Sequence, residues 1–272
     1  MPAFPPFQPR PIDPSGRPEA LALAKEAGLH GVYLRNDLIV GSGEAIGLYG
    51  KDRLLGCLWF GVRGNLVVIE GEPLDPVRVA DAAQSARWPW RIALGPGPSL
   101  DAMAQRLSGP PLVLRDQIYY GCSPAEAAFL SGRDEARLAG RADRDRLVDA
   151  GLDLNHRDLS IRPDRVDRRW MRDAVSARIA DGTSLVLGPE GEFHCKLDFG
   201  SRGEAGLVIE GVYTFPEARG RGYASALVAA AAASGRGPVA CLHVNAANAP
   251  ARRAYERAGL RPEKTLRLLL SN

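Results

Sequence analysis

Twice along this chain, three strand-like runs in close succession give way to a helix, a strand, a second helix and a final strand. In the first half, "EAIGLYGK", "RLLGCLWFGV" and "NLVVIEG" are runs of strand length. "DPVRVADAAQSA" then reads as a helix, "RIALG" as a strand, "SLDAMAQRL" as a helix and "LVLRDQIYY" as a strand. The second half repeats the order with "TSLVLG", "EFHCKLDFG" and "AGLVIEGVYT", and "GPEGE" supplies hairpin chemistry between the first two. An alanine-rich helix, "PVACLHV", "NAPARRAYERAG" and "KTLRLLL" complete it. This repetition predicts an α/β (α+β) protein of two tandem units, each a mixed, mostly antiparallel sheet flanked by helices. The expected divisions are a proline-rich arm at 1–15, a first unit at 16–122 and a second at 123–272.

The second half carries two further helices before its strands, after a short strand near "ARLAG". "ADRDRLVDAGLDL" places Leu147, Ala150, Gly151 and Leu154 at i, i+3, i+4 and i+7. "PDRVDRRWMRDAVSARIADG" is expected to start at Pro163, to bury a stripe of Val166, Trp170, Ala174 and Ala177, and to stop at Gly182. In the alanine-rich helix, Leu227, Ala230, Ala231 and Ser234 share one face. Asn248 is a plausible N-cap and Gly259 a plausible stop for the last helix.

A length of 272 residues favours two domains, and 45% hydrophobic with 25% charged residues is an ordinary soluble composition. The net charge of +3 is too small to argue for nucleic acid. The twelve arginines of residues 124–180 are interleaved with eleven acids, a mixed-sign surface rather than a basic stripe. Cys57, Cys122, Cys195 and Cys241 form no C-x-x-C pair, which argues against a structural zinc or a disulfide framework and for reduced thiols. With no apolar run of about 18 residues and a start, "MPAFPPFQPRPIDP", unlike a signal peptide, a soluble cytoplasmic protein is expected. The repeated prolines make that start an extended arm.

The chemistry concentrates in "FPEARGRGYASALVAAAAA", residues 215–233, where a strand ends in a turn rich in glycine and arginine and a helix begins. G-x-x-x-x-G-K-[ST] is absent, so the turn is not a Walker A loop. Gly220-Arg221-Gly222 has Ser225 in place of the third glycine of a dinucleotide fingerprint, and no acidic residue follows at the ribose position. Two readings stay open on these residues alone. One is a surface turn whose arginines remain hydrated. The other is an anion site, because a helix start gathers unpaired N–H groups and positive potential at one spot. In the second reading glycine permits close backbone approach and Arg219 and Arg221 add charge-assisted contacts. The first unit has only "EPLD" in this place and lacks those residues.

Arg219-Gly220-Arg221-Gly222-Tyr223-Ala224 resembles the Q/R-x-x-G-x-G/A signature of the GCN5-related N-acetyltransferases, the GNAT superfamily. Asn248, Ala251 and Tyr255, followed by "ERAGL", resemble its second block, N-x-x-A-x-x-x-Y. The resemblance covers about residues 136–270, and the first unit is similar only in element order. It implies acetyl-CoA as co-substrate and no metal. The pantetheine would lie between two splayed central strands, beside the backbone of Val212, Tyr213 and Thr214. The pyrophosphate would sit on Arg219, Gly220, Arg221, Gly222, Tyr223 and Ala224, and the Asn248 side chain would bond the pantetheine.

The resemblance also implies roles in the chemistry. Tyr255 stands where the family commonly has a general acid toward the coenzyme's sulfur, and a phenol with pKa near 10 is matched to a thiolate. Its alternative is helix packing. Glu210 stands near the family's general base, and on a regular strand it would share a face with Val212, whose N–H is a candidate oxyanion donor. Its alternative is a structural pair with an arginine. His243 reads as a structural strand histidine with acceptor binding as the alternative. His194 and Cys195, being adjacent on a strand, face opposite ways and cannot form a dyad. "LGPGPSLD" reads as a proline-stiffened turn, with an anion site where Ser99 begins a helix as the alternative.

The expectation is an N-acetyltransferase acting on a primary amine, of a small molecule or peptide, by direct attack in a ternary complex. The alternative is a non-catalytic acyl-CoA-binding regulatory or structural module. Neither nucleic acid nor a membrane is expected as a partner, and two units in one chain favour a monomer.

Overall fold

The computed structural model describes residues 4–62 and 64–272, so the first three residues of the proline-rich arm and Arg63 lie outside the described residues. Two compact units are distinguished, residues 1–119 with 264–272, and residues 120–263. The chain therefore changes unit within two strands rather than in a linker.

The first unit opens with β1 (Gln8–Pro11), α1 (Arg17–Glu26) and α2 (Gly31–Val40). β2 (Glu44–Tyr49), β3 (Leu54–Phe60), β4 (Asn65–Glu70), α3 (Pro76–Ser85), β5 (Ile92–Gly95), α4 (Gly97–Ala104) and β6 (Val113–Cys122) follow. Within the proline-rich arm Gln8–Pro11 is a strand, which pairs antiparallel with β2. Proline is tolerated there because an edge strand has N–H groups that need no partner. β3 is buried along its whole length, as a central strand covered on both faces must be. The helices α1 and α2 have no counterpart in the sequence reading. Their buried residues, Ala20, Leu23 and Ala24 on one and Val32, Leu34 and Leu38 on the other, pack over Cys57, Trp59 and Ile69. Together they complete the element order of the second half.

The second unit contains β7 (Ala136–Leu138), α5 (Arg144–Leu159), α6 (Arg168–Ala180), β8 (Ser184–Leu187), β9 (Cys195–Gly203) and β10 (Gly206–Thr214). α7 (Tyr223–Ala233), β11 (Ala240–Asn245), α8 (Ala249–Arg257) and the start of β12 (Arg261–Leu270) complete it. Its strands are ordered β11-β10-β9-β8-β7. Only β10 and β11 run parallel; β7, β8, β9 and β10 are antiparallel in turn. The later part of β12 belongs to the first unit, where residues 267–270 pair antiparallel with β5.

α6 departs from its expected start and stripe. Pro163–Arg165 is a separate 3₁₀ turn, and the helix begins after Asp167, whose carboxylate accepts the N–H groups of Arg169 (2.8 Å) and Trp170 (3.3 Å). This later start turns Met171 and Val175 inward and leaves Trp170 62% exposed. The two residues join Leu147, Val148, Leu152, Val186 and the fully buried Phe193 in one core. Burying a side chain of that size contributes about 1.5–3 kcal/mol. α7 buries more than the expected face: Ser225 to Ala229, Ala231 and Ala232 are all buried, whereas Ser234 is exposed. The helix touches β8, β9, β10, β11 and α8, and alanines let the backbone approach them all. Among the described residues, no helix is long and apolar enough to cross a membrane.

Candidate functional site

β10 and β11 pair only at Leu207↔Ala240 and Val208↔Cys241, although β10 continues to Thr214 and β11 to Asn245. Beyond Val208 the two strands splay, leaving backbone groups of β10 turned toward a gap. β10 also carries a bulge. Glu210 pairs with Asp198 and Tyr213 with Lys196, so that Gly211 and Val212 together stand opposite Leu197. Gly211 adopts φ +58, a left-handed conformation that glycine takes without strain. The bulge corrects the regular-strand reading of Glu210. Its partners being two residues apart on β9, Glu210 shares a face with Tyr213 and not with Val212.

Glu210 is half-buried, and its carboxylate lies over Gly200, where a Cβ would meet Glu210 Cδ at 2.2 Å. Burial, then the charges of Glu263 and Glu210, push the Cys241 thiol up to about 12. Tyr213 is held through its side chain, donating to Asp153 Oδ2 at 2.6 Å, with Arg157 Nε on the same oxygen at 2.6 Å. Burial and the Asp153 carboxylate raise the Tyr213 phenol to about 12. Phe215 N–H bonds His194 O at 3.1 Å, so the carbonyl of Thr214 turns to the other edge, where Arg219 Nε reaches it at 3.1 Å.

The turn after β10 is anchored at its base. Arg146 lies 3.7 Å from the Phe215 ring centroid, donates to Phe193 O at 2.8 Å and meets Glu217 at 3.2 Å. Phe193 and Tyr213 contact Phe215 edge-on. No sequence motif marks this aromatic–arginine cluster. Gly220 (φ +78) and Gly222 (φ +82) are both left-handed, and a Cβ at either would meet nothing within 4 Å. Glycine is required there by the backbone path, and the space over the turn is open. Gly222 is the N-cap of α7 and supplies no side chain. The first intrahelical bond goes from Ala226 N–H to Gly222 O, so the amides of Tyr223, Ala224 and Ser225 precede the helical ladder. The Tyr223 ring stacks on His194 at 4.9 Å. Arg221 is exposed.

The equivalent helix of the first unit is closed. Asp75 caps α3 and accepts Val77 N–H at 3.0 Å, so a carboxylate of the chain itself occupies the positive end. Ser99 Oγ donates to Glu70 Oε1 at 2.5 Å and Leu74 N–H to Glu70 Oε2 at 3.3 Å, tying together the end of β4, the turn and α4.

On α8, Asn248 caps the helix as expected, its Oδ1 accepting Ala251 N–H at 3.2 Å, and Gly259 (φ +98) follows its end. The Asn248 amide nitrogen takes no part in the cap. Tyr255 is buried, with its ring edge-on to Tyr120 at 6.2 Å. Burial first, then the charges of Cys195 and Asp158, raise its phenol above the ordinary value of 10.0, and no hydrogen bond contributes. It therefore stays protonated at neutral pH. His194 precedes β9, which begins at Cys195, so the two are not strand neighbours; His194 stacks on Tyr223 while Cys195 is buried. The thiol receives a bond from Thr214 Oγ1 at 3.2 Å, and burial pushes it up to about 11, which makes it a poor nucleophile.

These residues fall in or beside a stretch with known relatives. The sequence model of the family described as Acetyltransferase (GNAT) family matches residues 183–260. A search of curated proteins finds no match. Among solved structures, a GNAT-family acetyltransferase from Colwellia psychrerythraea is similar at 12% identity, over 98% of this chain and 100% of that one, with TM-score 0.55. A GCN5-related N-acetyltransferase from Sphaerobacter thermophilus is similar at 16% identity over 98% and 96%, with TM-score 0.57. A Drosophila protein is similar at 15% identity over 96% and 98%, with TM-score 0.65. At such identities the likeness is one of fold. Residues 183–260, all within the second unit, thus match a GNAT-family domain.

Proposed function

We propose that the second unit binds acetyl-CoA and transfers the acetyl group to a primary amine by direct attack in a ternary complex. The observation that carries this reading is the uncapped start of α7, placed behind two left-handed glycines at the end of a strand that has parted from its neighbour. The amides of residues 220–224 and the Arg219 and Arg221 side chains would hold the pyrophosphate. The edge of β10 away from β9 at Val212, Tyr213 and Thr214 would take the pantetheine as an added strand partner, with the Asn248 amide beside it. Bound coenzyme supplies the activated acyl group. Glu210, on the acceptor-facing side of the bulge, takes the proton of the incoming amine, directly or through water. The Val212 N–H serves developing negative charge, and the protonated Tyr255 hydroxyl serves the departing sulfur.

The first unit is, on this reading, a degenerate copy that binds no coenzyme, since Asp75 fills the place of an external anion. Calorimetry with acetyl-CoA should find one site per chain. Thiol release against a panel of amines should then find turnover above hydrolysis. Binding with no turnover on any amine would instead support the non-catalytic acyl-CoA module, and no binding would end both readings.

A further inference from the structure

Asp198 and Glu210 stand directly opposite each other on one face of the β9–β10 ladder, an arrangement of like charges that ordinarily destabilises a sheet. Asp198 is nevertheless compensated. Lys196 Nζ is 2.6 Å from its Oδ2, Arg178 Nη1 is 3.1 Å from the same oxygen, and Ser184 Oγ donates to Oδ1 at 2.7 Å. The Lys196 and Asp198 side chains are only 5% and 7% exposed. Burial alone would raise the Asp198 pKa, but the charges of Lys196 and Arg178, with the hydrogen bonds, outweigh it and hold the carboxyl below its ordinary range.

The pair also fills the bulge. A Cβ at Gly211 would lie 2.8 Å from Lys196 Nζ and 3.0 Å from Asp198 Oδ2. Lys196 and Asp198 are the two β9 residues that flank the bulge, one opposite Tyr213 and the other opposite Glu210. A buried ion pair adds little net stability against apolar packing, and its best-attested use is to set register.

We infer that Lys196 and Asp198 form a positioning clip, which fixes the β10 bulge and screens Glu210 from the carboxylate facing it. This rests on the reading of Glu210 as the proton acceptor. The groups tied to Glu210 or to the carboxylate opposite it are Asp198 and Lys196 from β9, Arg178 from α6, which meets Asp198, and Cys241 on β11. Glu263 on β12 is coupled through Cys241, and Asp153 and Arg157 of α5 surround the neighbouring Tyr213. Of these, Lys196 is the buried cation bonded to the carboxylate opposite Glu210. Neither Lys196 nor Asp198 is assigned contact with substrate; both act through Glu210 and the bulge.

The test is a carbon-13 titration of the glutamate side chains in the full chain, with Glu210 assigned by Glu210→Gln. Lys196→Met should move the Glu210 midpoint up by at least about half a pH unit, because Asp198 is left less compensated. Asp198→Asn should move it down, because Lys196 is left unopposed, and Lys196→Arg should restore the wild-type midpoint. If Lys196→Met does not fold, the downward shift in Asp198→Asn decides. An unchanged midpoint in the folded variants would overturn the clip. The acid limb of kcat/KM, read in the same variants, tests the underlying assignment separately. A moved midpoint with an unmoved acid limb keeps the clip and removes Glu210 from the chemistry.

Discussion

Replacing Tyr255 by Phe deletes one oxygen from a side chain that is 7% exposed and packed edge-on against Tyr120. The ring, its volume and its contacts survive. Among the described residues no hydrogen bond reaches the Tyr255 hydroxyl, so its removal breaks none. The hydroxyl is not a fully buried atom, so its deletion leaves no buried polar group unpaired. The stability change is therefore expected within about 0.5 kcal/mol, and Tm should hold or rise slightly. The catalytic effect is expected to be much larger. A positioned general acid contributes about 10²–10⁴-fold, which at about 1.36 kcal/mol per tenfold is about 2.7–5.4 kcal/mol of barrier. Acetyl-CoA affinity by calorimetry should stay within about threefold, because the hydroxyl serves only the departing sulfur. The assay is steady-state thiol release at saturating coenzyme, alongside a thermal melt. A kcat within threefold of wild type would refute the general-acid role. A Tm lowered by several degrees would refute the premise that the hydroxyl has no structural partner.

Other perturbations test other parts of the argument. Arg221→Ala, at an exposed position of the turn, should weaken acetyl-CoA by about 10-fold or more with no change in Tm, the loss shrinking at high salt; calorimetry at two ionic strengths checks both. Asp75→Ala should cost the first unit about 0.5–2 kcal/mol in urea unfolding by removing the α3 cap, while the coenzyme stoichiometry stays at one. The charges of Lys196 and Arg178 hold Asp198 below the ordinary aspartate value of 3.8 in the folded chain, so its contribution is present above about pH 4 and is lost as pH falls through the lower folded value. Wild-type urea midpoints should therefore drop between pH 5 and pH 3 more than those of Asp198→Asn.

Much of the site was legible because its residues are close in sequence. The turn at 219–224 and the cap at Asn248 are local motifs, since a left-handed glycine or a capping side chain acts on amides within three residues of itself. Element order was legible for the same reason, through hydrophobic period and turn residues. The helices α1 and α2 left a weaker signal. Their buried faces rest on alanines, which carry little hydrophobic contrast and pack only because β3 and β4 are there to receive them.

What the amino-acid order determined by itself is thus the duplicated series of elements, the glycine turn between a strand and a helix, and the cap of α8. Tertiary structure alone decided the rest. A strand read in isolation alternates strictly, so only pairing with β9 could reveal the bulge at Gly211 that sets Glu210 beside Tyr213. Likewise the Lys196–Asp198 pair, the Arg146 anchor under Phe215 and the parting of β10 from β11 exist only across the sheet or between a helix and the sheet. The physical reason is range: capping and periodicity act within a few residues, whereas register, ion pairing in the interior and the burial that raises the Tyr255 phenol depend on neighbours distant along the chain.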